Sequence, residues 1–358
     1  MTRITLTILA AIALASAPAG ADAASDAGQR VVALGDLHGD YDAYIDIVAA
    51  AGLVDADGHW SGGSTVFVQL GDVTDRGPSS RKIIEHLRTL DTEAEAAGGD
   101  VVVLAGNHEA MNVIGDLRYV HPGEYAAFVT DDSKKLRDKT FAANEGAITA
   151  IVHQQKPDAS EDEVRDLWMA AHPLGKLEHR AAWAPGGDYG RWAAGLPTIA
   201  KIGNSLFVHG GISAEASERT IDQLNVAVSE AMTTGEAESI LTDPLGPLWY
   251  RGNVVREAPA APDAAPAADA PPPRPSVEEE LALVLDRYGA ERLVVAHTPR
   301  RKGIGASLGG RLVRIDTGIS AHYGGPRTYL ELVGGHAYAI EKQDGEWVRR
   351  TLPQPGDM

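Results

Sequence analysis

Residues 65–77 read Thr-Val-Phe-Val-Gln-Leu-Gly-Asp-Val-Thr-Asp-Arg-Gly. The first part, Thr65 to Leu70, is a short β-branched and aromatic run of strand length. A glycine ends it, and Asp72, Asp75 and Arg76 follow at once. A strand that delivers charged side chains at its carboxyl end fits an open α/β sheet, where ligands gather at that edge. The same grammar recurs on both sides. Upstream, Arg30 to Leu34 enters Gly35-Asp36-Leu37-His38-Gly39; downstream, Val101 to Leu104 enters Gly106-Asn107-His108-Glu109. Helical spacing separates the strands. Tyr44, Ile45, Val48 and Ala49 share a face within residues 40–52, and Ile83, Ile84 and Leu87 do so between Arg81 and Leu90. The expected order is therefore βαβαβ, with chemistry at each strand end.

Further along, the pattern changes and then resumes. Residues 113–200 are charged and tryptophan-rich with few strand-like runs, and they predict a mainly helical insertion over the site. Asp158 to Ala171 is its clearest helix, opening near an Asp-Ala-Ser cap. Lys201 to Val208 restores strand character and enters His209-Gly210-Gly211. Residues 219–241 predict a helix. Residues 257–276 are almost all Ala, Pro and Asp, a composition that predicts a disordered loop. Motif residues lie on both sides of it, so it is not a domain linker. A helix over Ser276 to Tyr288, strands over Arg292 to Ala296 and Arg311 to Asp316, and a terminal hairpin over Tyr329–Val333 and Ala337–Glu341 follow. The fourth and fifth motifs are His209-Gly210-Gly211 and His297-Thr298-Pro299.

Residues 1–23 have the form of a secretory signal peptide. Arg3 precedes an apolar stretch from Ile4 to Ser16, and Ala21-Asp22-Ala23 offers a cleavage site. The expectation is a protein exported to the periplasm or secreted, without stable membrane insertion after cleavage, with residues 24–358 forming one domain. The chain has 358 residues, 44% of them hydrophobic, enough for a sizeable core. Its formal charge of -18 argues against a nucleic-acid partner. It has no cysteine, hence no disulfide framework and no cysteine nucleophile.

The five motifs supply the oxygen and imidazole donors that hard divalent ions near a phosphate require. Asp36 and His38 alternate on an extended chain end, so both can face one ion. Asp72, on the neighbouring strand, can bridge to a second, and Asn107, His209 and His297 complete it. Two ions about 3.5–4 Å apart activate water for in-line attack on phosphorus. Any one of these histidines alone would be an ordinary structural residue; five motifs in this order would not arise by chance.

On these motifs the chain resembles the phosphoprotein phosphatase family within the calcineurin-like metallophosphoesterases. Residues 106–120 (Gly-Asn-His-Glu-Ala-Met-Asn-Val-Ile-Gly-Asp-Leu-Arg-Tyr-Val) and the Gln69–Gly77 phrase are similar to its Shewanella-like branch. The resemblance implies an α/β fold of two mixed sheets packed as a sandwich and flanked by helices. It implies a metal-dependent phosphomonoesterase acting on phosphorylated proteins or peptides, with a leaning to phosphotyrosine. It implies two divalent ions, manganese foremost, with iron or zinc as alternatives, and attack by a metal-bridging hydroxide. Position by position, His108 resembles the general acid and Asp75 the carboxylate that orients it. Arg76, Arg251 and Asn107 resemble the groups that hold the substrate phosphate. Asp75 could instead cap the helix that follows, and Glu109 reads as a buried support.

Two departures limit what carries over: alanine precedes His297 where many relatives have glycine, and the Ile315–Gly325 loop differs from the eukaryotic substrate loop. A hydrolase of dinucleoside polyphosphates or other small phosphoesters is the alternative, and a metal-containing binding protein the non-enzyme one. Arg300, Arg301 and Lys302 could attract a phosphopeptide. Trp183, Tyr189 and Trp192 could line a pocket or form the insertion's own core. His121, His153, His172 and His179 read as surface or packing residues.

Overall fold

The structure, a computed structural model, describes residues 28–256 and 274–356. The expected signal peptide at 1–23 and nearly all of the expected 257–276 loop lie outside the described residues. Among those described, no helix is long and apolar enough to cross a membrane.

The opening βαβαβ reading holds: β1 (Val31–Leu34), α1 (Tyr41–Ala50), β2 (Val66–Gln69), α2 (Ser80–Ala97), β3 (Asp100–Val103) and α3 (Asn107–Ile114) follow one another. The helices α4 (Pro122–Ala126), α5 (Ser133–Gln155), α6 (Glu161–Ala171), α7 (Lys176–Trp183) and α8 (Asp188–Gly195) come next. Ser160 starts α6, its hydroxyl accepting from the Glu163 amide while Glu163 reaches back to the Ser160 amide. The remaining elements are β4 (Ile199–Ile202), β5 (Ser205–Val208), α9 (Ile221–Thr234), α10 (Val277–Tyr288), β6 (Arg292–Val295), β7 (Gly305–Ser307), β8 (Leu312–Arg314), β9 (Thr328–Val333), β10 (His336–Gln343) and β11 (Glu346–Thr351).

Two mixed sheets result, ordered β11-β10-β9-β1-β2-β3 and β4-β5-β6-β8-β7. Strand alternation explains how they pack. Val31, Ala33, Val66 and Val68 of the first sheet meet Phe207, Val294 and Val313 of the second in one buried layer. The opposite faces meet helices. Val32, Leu34 and Phe67 pack with Tyr44, Ile47, Ile83 and Leu87. Leu206, Val208, Leu293 and Val295 pack with Leu224, Leu281 and Val284. The fold is thus the α/β sandwich of two mixed sheets with outer helices.

Several local expectations change. Lys201 to Val208 is a hairpin rather than one strand, because Gly203 (φ 54°) turns the chain between β4 and β5. The helix expected at 219–241 stops at Gly235, which takes a left-handed φ. A third strand, β11, extends the terminal hairpin. Its Glu-Trp-Val-Arg-Arg-Thr is mostly exposed, so it shows no apolar run. Arg274, inside the expected disordered stretch, is fixed in place: it is 2.7 Å from buried Glu280 and 2.8 Å from Glu215. Trp183 and Tyr189 are buried in the main core, and Trp192 packs against it while lining a cavity with Leu87, Val103 and Leu196 that includes none of the motif residues.

Candidate active site

All the strand-end motifs converge at one edge of the sandwich. Their backbones are forced into unusual shapes there. Seven non-glycine residues have positive φ among the described residues, and five are His38 (45°), Asp72 (52°), Asp75 (71°), Arg76 (65°) and His297 (62°). Such conformations cost energy and persist where surrounding structure over-determines them, typically at functional sites. Here the loops hold one another. Leu37 and His38 amides both donate to the Asp72 carbonyl, and the His297 amide donates to Asp36 Oδ1 at 3.1 Å. A Cβ on Gly106 would lie 2.3 Å from Asp72, so only glycine lets the β3 turn come this close to it.

Glu109 is the internal brace, as its sequence context suggests. One carboxylate oxygen accepts from the amides of Asp72 and Gly106, and the other from Val73 and Thr74. Burial, then the Asp72 charge, raises its pKa to about 7.

Six expected ligands come together: Asp36, His38, Asp72, Asn107, His209 and His297. The donor atoms of His38, Asp72 and His108 lie within 4.8 Å of one another, as do those of Asp72, His209 and His297. Asp72 is common to both groups. Asp36 Oδ2 is 3.8 Å from His38 Nε2. His209 tests whether a cation fits. Its Nδ1 lies 2.7 Å from the Leu70 carbonyl, which only accepts, so that nitrogen carries a hydrogen. In the neutral ring Nε2 then presents a lone pair to Asn107 Oδ1 at 3.0 Å and Asp72 Oδ2 at 3.3 Å. Three electron-rich atoms face one point, and a divalent ion there satisfies all three. His38 repeats the pattern, with Nδ1 3.0 Å from the Thr74 carbonyl and Nε2 3.8 Å from Asp72. Among the described residues, buried His297 Nε2 has no hydrogen-bond partner. Burial, then Asp316 and Asp72, pushes the Asp36 pKa well up; burial also raises Asp316, to about 6. Crowded buried carboxylates of this kind are relieved by a cation. The residues fit two divalent ions.

His108 stands in the same group as His38 and Asp72 but differs from the ligands in what fixes its ring. Its Nδ1 is 2.6 Å from Asp75 Oδ2, leaving Nε2 on the site side, 3.8 Å from Asp72. Burial lowers its pKa, but Asp72 and Asp75 more than offset this, so it is raised overall and the ring can carry a proton. Asp75 therefore orients His108 and does not cap α2. That helix has no side-chain cap from Ser79; Glu124 of α4 accepts from the Ser80 amide at 2.6 Å instead. The insertion thus grips the loop carrying Asp75 and Arg76. The Arg76 amide donates to the Tyr119 carbonyl, and its guanidinium lies 3.8 Å over the Tyr119 ring. Arg251 is more exposed, its Nη1 donating to the His297 carbonyl at 3.0 Å and Thr298 Oγ1 at 3.2 Å. Both guanidiniums stand at the rim of the cradle.

Four residues escaped the sequence reading. Asn112 donates to Asp75 Oδ1 at 2.9 Å and to the His108 carbonyl at 3.0 Å; its spacing of one helical turn from His108 was the available signal. Asp316 ends a strand as Asp36 does. Tyr119 and Tyr323 flank Arg76, Tyr323 lying 5.4 Å from the His38 ring, and no local pattern marks either. His179 is fully buried and serves packing.

The model of a family described as calcineurin-like phosphoesterase matches residues 29–301. The chain is 32% identical over 305 residues to Shewanella-like protein phosphatase 2 of Arabidopsis thaliana, covering 82% of this chain and 72% of that protein. It is 26% identical over 307 residues to Shewanella-like protein phosphatase 1 of Plasmodium berghei, covering 85% and 71%. Among solved structures, the cold-active protein-tyrosine phosphatase of a psychrophilic Shewanella species superposes with a TM-score of 0.61 at 27% identity, covering 90% of this chain and 80% of that one.

Proposed function

The chain belongs to the calcineurin-like phosphoesterase family, on its Shewanella-like protein phosphatase branch, and from that premise we propose how its site works as a metal-dependent protein phosphatase. The observation that carries this reading is the pairing of the two-ion cradle with His108 and Asp75 beside it. A binding protein needs the first and has no use for the second.

Asp36, His38 and Asp72 would hold one ion; Asp72, Asn107, His209 and His297 would hold the other. Such ions polarise phosphoryl oxygens and lower the pKa of water toward neutrality. The remaining work falls to this chain. Arg76 and Arg251 hold phosphoryl oxygens, for which a planar guanidinium is well shaped, and Asn107 assists them. His108 gives the proton on Nε2 to the departing oxygen, and Asp75, steadied by Asn112, keeps the ring turned and protonated. Tyr119 lies 5.2 Å from the His108 ring, where a leaving group would depart. An aromatic neighbour there, together with the tyrosine phosphatase among the similar structures, supports phosphotyrosine as the preferred substrate. Manganese suits the mixed nitrogen and oxygen donors. The 1–23 segment supports export.

The test is turnover by the purified, manganese-loaded protein on matched phosphotyrosine and phosphoserine peptides, with His108→Ala alongside. Preferential, His108-dependent release of phosphate from phosphotyrosine is expected. Equal release would remove the tyrosine preference. Faster cleavage of dinucleoside polyphosphates than of either peptide would replace the protein substrate with a nucleotide one.

A further inference from the structure

Several cations of this acidic chain find an opposite partner: Arg30 pairs with Glu331, Arg327 with Asp46 and Arg274 with Glu280. One edge of the active site instead gathers several guanidiniums close together in the chain. Beyond His297, the loop Thr298-Pro299-Arg300-Arg301-Lys302 runs into β7, and Arg314 ends the adjoining β8. Arg314 Nη2 donates to the Thr298 carbonyl at 3.3 Å, while its buried Nε has no hydrogen-bond partner among the described residues. Arg251 reaches the same Thr298 from the other side. Arg300 spends one nitrogen on the carbonyls of Lys302 and Gly303. Arg301 lies over Gly318, beside Tyr323. Among the described residues none of Arg251, Arg300, Arg301 and Arg314 has a carboxylate within ion-pair distance. Arg300 and Arg314 also line a cavity of about 340 Å³ with Asn253, Gly305 and Leu312. Burial, then the neighbouring Arg300, lowers the Arg314 pKa, and the Asp316 charge offsets this only in part.

With 50 acidic side chains on the protein, partners for these arginines were not scarce. Guanidiniums without a carboxylate partner, two of them on Thr298 and two more on the loop that continues from it, are suited to an anion from outside. We propose that Arg300, Arg301 and Arg314 form a subsite for a second anionic group on the substrate, a carboxylate or a further phosphate flanking the residue that carries the scissile phosphoryl group. The proposal rests on the protein-phosphatase reading and narrows it to acidic or multiply phosphorylated segments. Arg251 would stand between the two anions.

The experiment measures phosphopeptides as competitive inhibitors of aryl phosphate turnover, so that binding is read whether or not they are cleaved. Three matched phosphopeptides carry alanine, glutamate or phosphoserine beside the phosphorylated residue. Phosphate release is followed in parallel. For the native chain, the two anionic peptides should bind roughly tenfold more tightly than the neutral one at low salt, and the advantage should shrink at 0.5 M salt. Arg301→Gln and Arg314→Gln should each reduce that ratio and together abolish it, while aryl phosphate turnover and the thermal midpoint change little. Arg301→Gln, at an exposed position, keeps the test informative if Arg314→Gln unfolds. A response to phosphoserine but not glutamate would assign the subsite to phosphate, and the converse to carboxylate. Equal inhibition by all three peptides, or a preference that survives both substitutions, overturns the subsite. Tight binding of the anionic peptides without phosphate release would instead overturn the protein-phosphatase reading and leave the subsite standing.

Discussion

Buried histidines occur in two places in this molecule, and they are treated in opposite ways. At the strand edge, His38, His108 and His209 each have one ring nitrogen fixed by an oxygen, from Thr74, Asp75 and Leu70 respectively, and the other turned toward Asp72. In the helical insertion, His179 is equally buried, yet neither of its nitrogens has a hydrogen-bond partner among the described residues. Its neighbours are the rings of Tyr125 at 5.3 Å, Phe128 at 5.1 Å and Trp183 at 6.3 Å. Burial therefore does not make a histidine functional. What separates these three from His179 is a second atom that fixes the tautomer and aims the free nitrogen.

The sharpest way to break the comparison is to remove what the aimed nitrogens face. Asp72→Asn keeps the shape and deletes the charge shared by three histidines. The expected outcome is loss of both ions after dialysis and turnover at background. Metal analysis that still finds two ions per chain would show that Asp72 bridges nothing. The next effect should come from His108→Ala, which removes the proton donor and spares the ligands. Turnover should fall by roughly 10²–10⁴ on poor leaving groups and far less on activated aryl phosphates, the pattern of lost general acid catalysis. An equal fall on both would make His108 a ligand or a structural residue.

Asp75→Asn probes the fixing atom rather than the aimed one. The amide can still accept from His108, but the negative charge that favours the imidazolium is gone. Turnover should drop roughly ten- to a hundredfold, the range for an outer partner orienting a functional histidine. The alkaline limb of the pH profile should move to lower pH, because His108 loses its proton sooner. An unmoved limb would mean that the Asp72 charge alone keeps His108 protonated.

The same contrast shows why some of the site was legible in the sequence and some was not. Asp36, Asp72, Asn107 and His297 each follow a short apolar run and a Gly or Ala, and His209 follows such a run directly and precedes two glycines, so the strand ends announce them. The helix-over-sheet framework was legible for the same reason. Glu109, read from the sequence as a buried support, braces the site from within α3, but Asn112 does so unseen, because a helix hides such a role where every fourth residue shares a face. Tyr119 and Glu124 act through contacts with the Asp75–Ser80 loop that are long-range in sequence, and nothing in their own neighbourhood marks them. Arg274 was misread because composition describes a segment's average, while a single arginine at its end can still reach a buried glutamate.

His179 supplies the smallest effect at neutral pH and the most direct test of the contrast. Burial, then Arg180 and Lys176, lowers its pKa to about 4 from the usual 6.5, so the fold holds it neutral. Between those values the unfolded chain binds a proton that the folded chain refuses. Stability is therefore fully present above pH 6.5 and declines as the pH falls toward 4, by about 3 kcal/mol from this group alone. His179→Phe would fill the same aromatic box and remove two unsatisfied nitrogens. At pH 7 it should stabilise the chain by about 1 kcal/mol. At pH 5 the gap over the native chain should widen, measured by denaturant unfolding of both proteins in the same buffer. Because the strand-edge ligands titrate identically in the two, their contribution cancels in the difference. A gap that stays flat from pH 7 to pH 5 would mean that water reaches the His179 ring, and the two classes of buried histidine would then differ only in degree.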